Sequence, residues 1–206
     1  MEETEAGSAT GDELLSRQNA LQVEAHRVLN ELDVMAVLSR MGQTSIVGSL
    51  ALGLMVWRDI DIEVQCERLN SDLAFQAVRP LISHSGVYRL TYHDWTGSRA
   101  TPDWPEGYYW GVRYQPLASE EWKLDIWLLP AGTVRRTGGA LIESLTASLT
   151  DESRSAILQL KDIWRHLPTY RDTVLSTDIY DAVLNHGIRT ADDFDRYLTE
   201  RGKSSR

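Results

Sequence analysis

The chain has 206 residues, of which 42% are hydrophobic and 25% are charged, a composition that is typical of folded globular proteins and excludes wholesale disorder. Its 21 basic and 30 acidic residues give a formal net charge of −9. Because affinity for a nucleic-acid backbone comes chiefly from Lys and Arg, this charge excludes general nucleic-acid binding through a basic surface. The single cysteine, Cys66, excludes an intrachain disulfide and a cysteine-built zinc site.

The sequence also carries information about location. Residues 1–12 lack the basic segment and the apolar stretch of a secretory signal. The least polar run, residues 45–57, is too short and too rich in Gly and Ser to span a membrane. A single cysteine favours a reducing compartment, so we expect a cytoplasmic protein that does not bind membranes. The sequence leaves the oligomeric state open.

The first half of the chain predicts helices around two short strands. Apolar residues spaced by three, four and seven predict the first helix, and strict alternation of polar and apolar residues predicts the second strand. Ser71 is expected to cap a helix that Pro80 kinks or ends early. Helices are predicted over residues 12–32, 34–41, 50–55 and 71–83, and strands over 44–47 and 59–66.

The second half changes from aromatic, β-branched segments to helical ones. Strands are predicted over residues 87–95, 108–114 and 122–129, and helices over 140–148, 151–165, 177–186 and 190–200. The change in composition predicts three regions: a flexible tail over 1–11, a domain over 12–137 and a helical C-terminal subdomain over 138–206. The expected fold class is α/β (α+β), with a small mixed sheet and flanking helices.

The acidic residues of the second strand are candidates for metal binding. About one Asp-x-Asp pair is expected by chance, and two are present, Asp59/Asp61 and Asp193/Asp195. The second pair lies in a predicted helix, where residues two apart point about 200° from each other and cannot converge on one ion. Asp59 and Asp61 share one face of a strand and can bind one divalent cation or two neighbouring ones. Glu63 continues that face, and we expect it to be a solvated strand residue.

A third carboxylate and a Gly-Ser pair complete the pattern. Asp125 lies between Leu124 and Ile126 in another predicted strand, where a buried charge is costly unless a cation binds among the acids. Gly48-Ser49 closes the first strand before a helix, and its backbone N–H groups and missing Cβ suit a phosphate. The three segments together predict a site for a metal-bound phosphate.

This arrangement resembles the nucleotidyltransferase fold of the DNA polymerase beta superfamily. The signature of that fold is an apolar residue with Gly-Gly or Gly-Ser, a short linker, an alternating apolar/acidic pair and a later apolar-acid-apolar strand. The matching segments are Val47-Gly48-Ser49, Asp59-Ile60-Asp61-Ile62 and Leu124-Asp125-Ile126. The resemblance covers residues 44–130, and the helical third that follows is most similar to the small-molecule branch, the aminoglycoside and lincosamide nucleotidyltransferases.

The resemblance implies a role for each matching residue. Asp59 and Asp61 would hold two Mg²⁺ ions, with Mn²⁺ as an alternative, and Asp125 would complete the second metal site and accept the proton of an attacking hydroxyl. Gly48 and Ser49 would contact a nucleoside triphosphate such as ATP. The implied activity is Mg²⁺-dependent transfer of a nucleoside monophosphate to a hydroxyl of a small molecule, with release of pyrophosphate. The preferred nucleotide and the acceptor stay open.

Three basic residues are secondary candidates for nucleotide binding. Lys123 shares a strand face with Asp125 and is expected either to pair with it or to touch phosphate. Arg154, Lys161 and Arg165 are spaced by seven and four along one predicted helix. Arg154 and Lys161 are candidates for reaching the β- and γ-phosphates, although a solvated helix face explains the same stripe.

Aromatic residues surround the loop between the third and fourth strands. They either fill the core or stack on a base or a sugar. These residues are Trp95, Trp104, Tyr108, Tyr109 and Trp110.

Two alternatives to small-molecule transfer stay open at this stage. One is nucleotidylation of a protein, as in minimal nucleotidyltransferases of toxin–antitoxin pairs. The other is a catalytically silent module that keeps the fold to hold a nucleotide or a partner.

Overall fold

The computed structural model of the chain describes residues 9–102, 104–116, 120–133 and 139–203. These residues form two compact units, Leu21–Thr146 and the described parts of Met1–Ala20 and Ala147–Arg206. The second unit therefore takes in the start of the first helix, and the predicted division at residue 138 stays a prediction. Most of the predicted tail, residues 1–8, lies outside the described residues. Within the described chain, no helix is both long enough and apolar enough to cross a membrane.

The fold is mixed α/β, which confirms the predicted fold class. The helices are α1 (Gly11–Glu31), α2 (Val34–Leu38), α3 (Gly48–Leu52), α4 (Ser71–Ile82), α5 (Gly139–Ser148), α6 (Asp151–Trp164), α7 (Ser176–His186) and α8 (Ala191–Glu200). The strands are β1 (Gln43–Val47), β2 (Asp59–Cys66), β3 (Val87–Asp94), β4 (Tyr108–Tyr114) and β5 (Trp122–Pro130).

The five strands form one sheet in the order β1-β2-β5-β4-β3. β2 and β5 are parallel, whereas the other three neighbouring pairs are antiparallel. Because alternate residues of a strand point to opposite faces, Ile60, Ile62 and Val64 of β2 share a face with Leu124 and Ile126 of β5. All five are completely buried in the core with residues of α1, α2 and α4. The odd-numbered residues of β2 and β5, including the acids, therefore lie on the other face.

The second unit is held by packing among α6, α7 and α8. The indole of Trp164 meets the ring of Phe194 edge to face, with 4.7 Å between the ring centroids. Thr150 begins α6 with a capping box, in which its hydroxyl accepts from the Ser153 backbone N–H and the Ser153 hydroxyl accepts from the Thr150 N–H.

Three predicted features of α3 and α4 differ in the structure, each for a local reason. The helix expected over 50–55 begins at Gly48 and ends at Leu52, because Gly53 takes a left-handed conformation with φ 63°. The N-cap of α4 is Asn70, not Ser71, and its side chain accepts from the Leu73 N–H at 2.8 Å. Pro80 neither ends nor shortens α4 before Ile82. It removes only its own N–H from the helical hydrogen bonds, and the helix continues for only two residues beyond it.

Replacement of Ile126 by Ala is expected to lower the free energy of unfolding by about 2–5 kcal/mol, because it leaves a cavity at a completely buried position. Val23→Ala, at a side chain 64% exposed, should change it by less than about 0.5 kcal/mol. Urea denaturation of both variants measures the difference. Equal losses would show that the sheet face of Ile126 is not the core.

Candidate functional site

The parallel pairing of β2 with β5 brings three carboxylates together. Asp61 lies directly opposite Asp125, and Asp59 lies opposite Lys123. One oxygen from each of Asp59, Asp61 and Asp125 lies within 4.8 Å of the others. The structure thus brings together the three acids that the strand pattern singles out, on the sheet face opposite the core.

Most of this acidic cluster is withdrawn from water. Asp59 is 4% exposed and Asp125 is 9% exposed, while Asp61 is half-buried. The Trp57 indole N–H donates to Oδ2 of Asp59 at 3.3 Å. Burial and the nearby charge of Asp59 raise the pKa of the Asp125 carboxyl, and Lys123 and Tyr109 oppose that rise. Three carboxylates in so small a volume repel one another, and a bound cation would remove that repulsion.

Both oxygens of Asp125 are held by neighbouring side chains. The Lys123 ammonium donates to Oδ2 and the Tyr109 hydroxyl donates to Oδ1, each at 2.5 Å. Burial and the Asp125 charge raise the pKa of Tyr109 well above its ordinary value, so its hydroxyl keeps its proton and stays a donor. Of the two expectations for Lys123, the structure shows pairing with Asp125, and its contact with phosphate stays a prediction.

Tyr109 reaches Asp125 because the residue between them in the sheet is a glycine. Gly111 of β4 lies opposite Asp125, and a Cβ on Gly111 would come within 2.7 Å of the Tyr109 hydroxyl oxygen. The sequence pattern assigns Tyr109 to the aromatic residues around the loop and predicts no contact between Tyr109 and Asp125. The Tyr-x-Gly spacing in an aromatic strand was the available signal, and it could be interpreted only once the register with β5 was known.

Gly48 is required by the close approach of the backbone to Asp61. A Cβ on Gly48 would lie 2.3 Å from Oδ2 of Asp61, and the residue has a φ of +64° that L side chains rarely adopt. Gly48 and Ser49 are the first two residues of α3, beside the acids as the sequence predicts. Their contact with a nucleotide stays a prediction.

Glu63 is a fourth acid on the same face, and its predicted environment was wrong. It is 3% exposed, so it is not a solvated strand residue. Glu63 lies opposite Trp127 of β5 and Ser45 of β1. The alternating pattern of β2 could not show this, because a strand residue becomes buried only when other elements cover its face.

The basic stripe of α6 belongs to the helical unit. Lys161 is 1% exposed, and its ammonium lies 3.4 Å from the Tyr180 hydroxyl oxygen. Arg165 pairs with Asp162 at 3.0 Å. A solvated face therefore does not describe Lys161, and the predicted phosphate contacts of Arg154 and Lys161 stay predictions.

The donor set suits a hard divalent cation. The cluster of Asp59, Asp61 and Asp125 offers only carboxylate oxygens, the ligands that Mg²⁺ and Mn²⁺ prefer. The close approach of the Gly48 backbone to Asp61 leaves no room for a side chain at residue 48. These features fit a divalent metal site, and the identity and number of the ions stay predictions.

Comparisons with known proteins support the fold. No family model and no curated protein matches the sequence. The chain is similar to a structure of CdnC from E. coli MS115-1 with ATP, with a TM-score of 0.53 at 16% identity over 90% of this chain and 67% of that one. It is also similar to CdnC in complex with HORMA-deltaN, with a TM-score of 0.48 at 17% identity over 89% of this chain and 65% of that one.

The similarity defines the class of fold. CdnC is a cGAS/DncV-like nucleotidyltransferase, and the five-stranded mixed sheet with flanking helices is consistent with a nucleotidyltransferase-like fold. A likeness at 16% identity supports the fold alone, so the small-molecule branch expected from the helical C-terminal third stays a prediction. A run of helices is common to many proteins, and its pattern alone could not distinguish branches of one fold.

Gly48→Ala is expected to weaken Mn²⁺ binding at least tenfold, since the added methyl group would displace the Asp61 carboxylate. Gly97→Ala is the matched control, because Gly97 has a φ of +55° and no atom within 4 Å of an added Cβ. Isothermal titration calorimetry with Mn²⁺ would measure both variants. Equal Mn²⁺ affinity in the two variants would contradict a metal site beside Gly48.

Tyr109→Phe removes one donor to the buried Asp125 carboxylate and keeps the ring. We expect the free energy of unfolding in chelator to fall by about 1.5–3 kcal/mol, the usual contribution of a hydrogen bond to a charged group. Tyr88→Phe, at a side chain 57% exposed, is the control and should have no effect. Equal free energies of unfolding for the two variants in chemical denaturation would show that the hydrogen bond from Tyr109 to Asp125 does not stabilise the fold.

Proposed function

We propose that this protein transfers a nucleoside monophosphate from a nucleoside triphosphate to an acceptor hydroxyl, in a reaction that requires a divalent cation. The observation that carries the proposal is the convergence of Asp59, Asp61 and Asp125 within 4.8 Å, beside the Gly48-Ser49 turn. The five-stranded mixed sheet with flanking helices, which is consistent with a nucleotidyltransferase-like fold, also supports the proposal.

Each residue has a defined task in this proposal. Asp59 and Asp61 hold the cations, and Gly48 and Ser49 present backbone N–H groups to the triphosphate. Bound divalent cations would neutralise the phosphates and make an acceptor hydroxyl more acidic. Asp125 completes the cation site and accepts the proton of that hydroxyl as its oxygen attacks the α-phosphorus, and pyrophosphate leaves.

The basic residues are proposed to hold the Asp125 carboxylate and to contact the phosphates. Lys123 holds the Asp125 carboxylate in place through its 2.5 Å contact and opposes the rise in the pKa of that carboxyl, and it is near enough to the acids to meet a phosphate. Arg154 and Lys161 are proposed to reach the β- and γ-phosphates. For Lys161 this contact requires its ammonium to leave the buried position near Tyr180.

ATP is the first nucleotide to test, since the similar CdnC structure contains it. For the acceptor, the hydroxyl of a small molecule follows from the sequence resemblance, whereas the structural neighbours do not support that choice. Protein nucleotidylation is a further outcome that the same assay detects.

The experiment supplies α-labelled ATP, GTP, CTP or UTP in turn, with Mg²⁺ or Mn²⁺, and measures released pyrophosphate and labelled products. Acceptors are offered as a panel of hydroxylated small molecules, as nucleotides alone and as mixed protein. Pyrophosphate with a labelled product is the expected result. Tight, metal-independent nucleotide binding without any product would instead favour the catalytically silent module.

Asp61→Asn and Asp125→Asn are each expected to reduce transfer at least a thousandfold. Asp61→Asn should be as stable in chelator as the unchanged protein, or more stable, because the loss of one negative charge relieves repulsion in the cluster. Asp172→Asn, at an exposed turn residue, is the control for the amide substitution. Near-normal turnover in either cluster variant would exclude that carboxylate from the reaction.

A further inference from the structure

The Lys123 ammonium contacts a carboxylate that the proposed cation site also needs. Lys123 precedes Asp125 by two residues in β5, so both side chains lie on the acidic face of the sheet. The ammonium donates to Oδ2 of Asp125 at 2.5 Å, and the Tyr109 hydroxyl donates to Oδ1 at the same distance. Both oxygens of Asp125 thus already accept a hydrogen bond. A cation bound by Asp125 therefore has to share an oxygen with one of these donors or displace it.

The two donors respond differently to a cation on Asp125. A divalent cation and an ammonium on one carboxylate repel each other, and burial of Asp125 leaves little water to screen them. The Tyr109 hydroxyl carries no net charge, and its ring packs 5.0 Å from the Trp127 ring, so it can remain in place. Lys123 has a flexible four-carbon stem. It is therefore the donor that a cation displaces more easily.

The strand register shows which charged residues flank Lys123. Its neighbours across the sheet are Asp59 in β2 and Arg113 in β4. Asp59 is assigned to the cations, whereas Arg113 has the same charge as Lys123 and pairs with Glu121 at 2.8 Å. An ammonium released from Asp125 is therefore stabilised best by a further anion. In the proposed reaction, that anion is the triphosphate.

We propose that Lys123 is a built-in counter-ion of Asp125 that a divalent cation displaces, and that the displaced ammonium then binds the triphosphate. The contacts of Lys123 with Asp125 and with phosphate thus belong to two successive states of one side chain. This inference rests on the proposed function, which supplies both the cation and the triphosphate. Two consequences follow: Lys123 weakens cation binding in the absence of nucleotide, and the cation and the triphosphate strengthen each other's binding.

Release of Lys123 can be measured directly, because the sequence contains only three lysines, Lys123, Lys161 and Lys203. N-hydroxysuccinimidyl acetate acetylates each amine at a rate that mass spectrometry of the corresponding peptide reports. Lys203, which pairs with Asp178 of the helical unit at 2.6 Å, is the internal reference. The rates are measured in chelator, with saturating Mg²⁺, and with Mg²⁺ and the unreactive α,β-methylene analogue of ATP.

We expect Mg²⁺ to raise the acetylation rate of Lys123 about fivefold or more relative to Lys203, and the analogue to lower it again. Asp61→Asn is the control, because it removes a ligand of the cation and keeps the contact between Lys123 and Asp125. In that variant, Mg²⁺ should change the rate by less than about twofold. The measurement retains Lys123 itself, so it does not depend on whether a variant at that position folds.

A second measurement compares Mn²⁺ affinity, without nucleotide, in Lys123→Met, Lys123→Arg and Arg113→Gln by calorimetric titration. Mn²⁺ should bind about tenfold more tightly to Lys123→Met, which lacks the competing ammonium, and about normally to Lys123→Arg, which keeps the charge and the donors. Arg113→Gln is the matched control, because it removes a positive charge from the neighbouring strand and no donor to Asp125. It should change the affinity by less than about threefold.

Four results would overturn the inference. They are an acetylation rate of Lys123 that Mg²⁺ leaves unchanged, a rate in Mg²⁺ that the analogue does not lower, equal or weaker Mn²⁺ binding by Lys123→Met, and an equal gain in Arg113→Gln. Weaker Mn²⁺ binding by Lys123→Met would show that Lys123 only holds Asp125 for the cation. Failure of the proposed function is detected separately, as the absence of pyrophosphate release from every nucleoside triphosphate.

Discussion

Repulsion among three carboxylates is the constraint on which the rest of this structure depends. Asp59, Asp61 and Asp125 come together because parallel pairing places Asp61 directly opposite Asp125, and burial strengthens their repulsion. The surrounding protein supplies partial compensation through Lys123 and Tyr109, which hold the two oxygens of Asp125. A bound divalent cation would remove the remaining repulsion that folding creates, which is why the cluster fits a divalent metal site.

The two faces of the sheet separate stability from chemistry. Alternation along β2 sends Ile60, Ile62 and Val64 into the core and the acids to the opposite side. The core face can therefore stabilise the sheet through apolar packing, while the acidic face is free to carry groups that would be destabilising in a core. The same division explains why the aromatic residues of β4 have two roles: Trp110 packs in the core, whereas Tyr109, its neighbour, contacts Asp125.

Small residues decide how closely the backbone and side chains approach the acids. Gly48 lets the start of α3 contact Asp61, and Gly111 leaves the space through which Tyr109 reaches Asp125. Neither glycine contributes a side chain. A side chain at Gly48 would displace the Asp61 carboxylate, and one at Gly111 would displace the Tyr109 hydroxyl. The positions of the acids therefore depend on the absence of side chains at these two residues.

The sequence by itself determined the fold class, most of the strands and helices, and the three acids, because those features are local. Alternation within β2 assigns Asp59 and Asp61 to one face, and an acid between apolar residues marks Asp125. Tertiary structure alone decided the burial of Glu63, the contact between Tyr109 and Asp125, and the stacking of Trp104 on Trp127. Each of these depends on strand register or on a loop returning over the sheet, and such relations join residues that are distant in the chain and leave no periodic pattern in it.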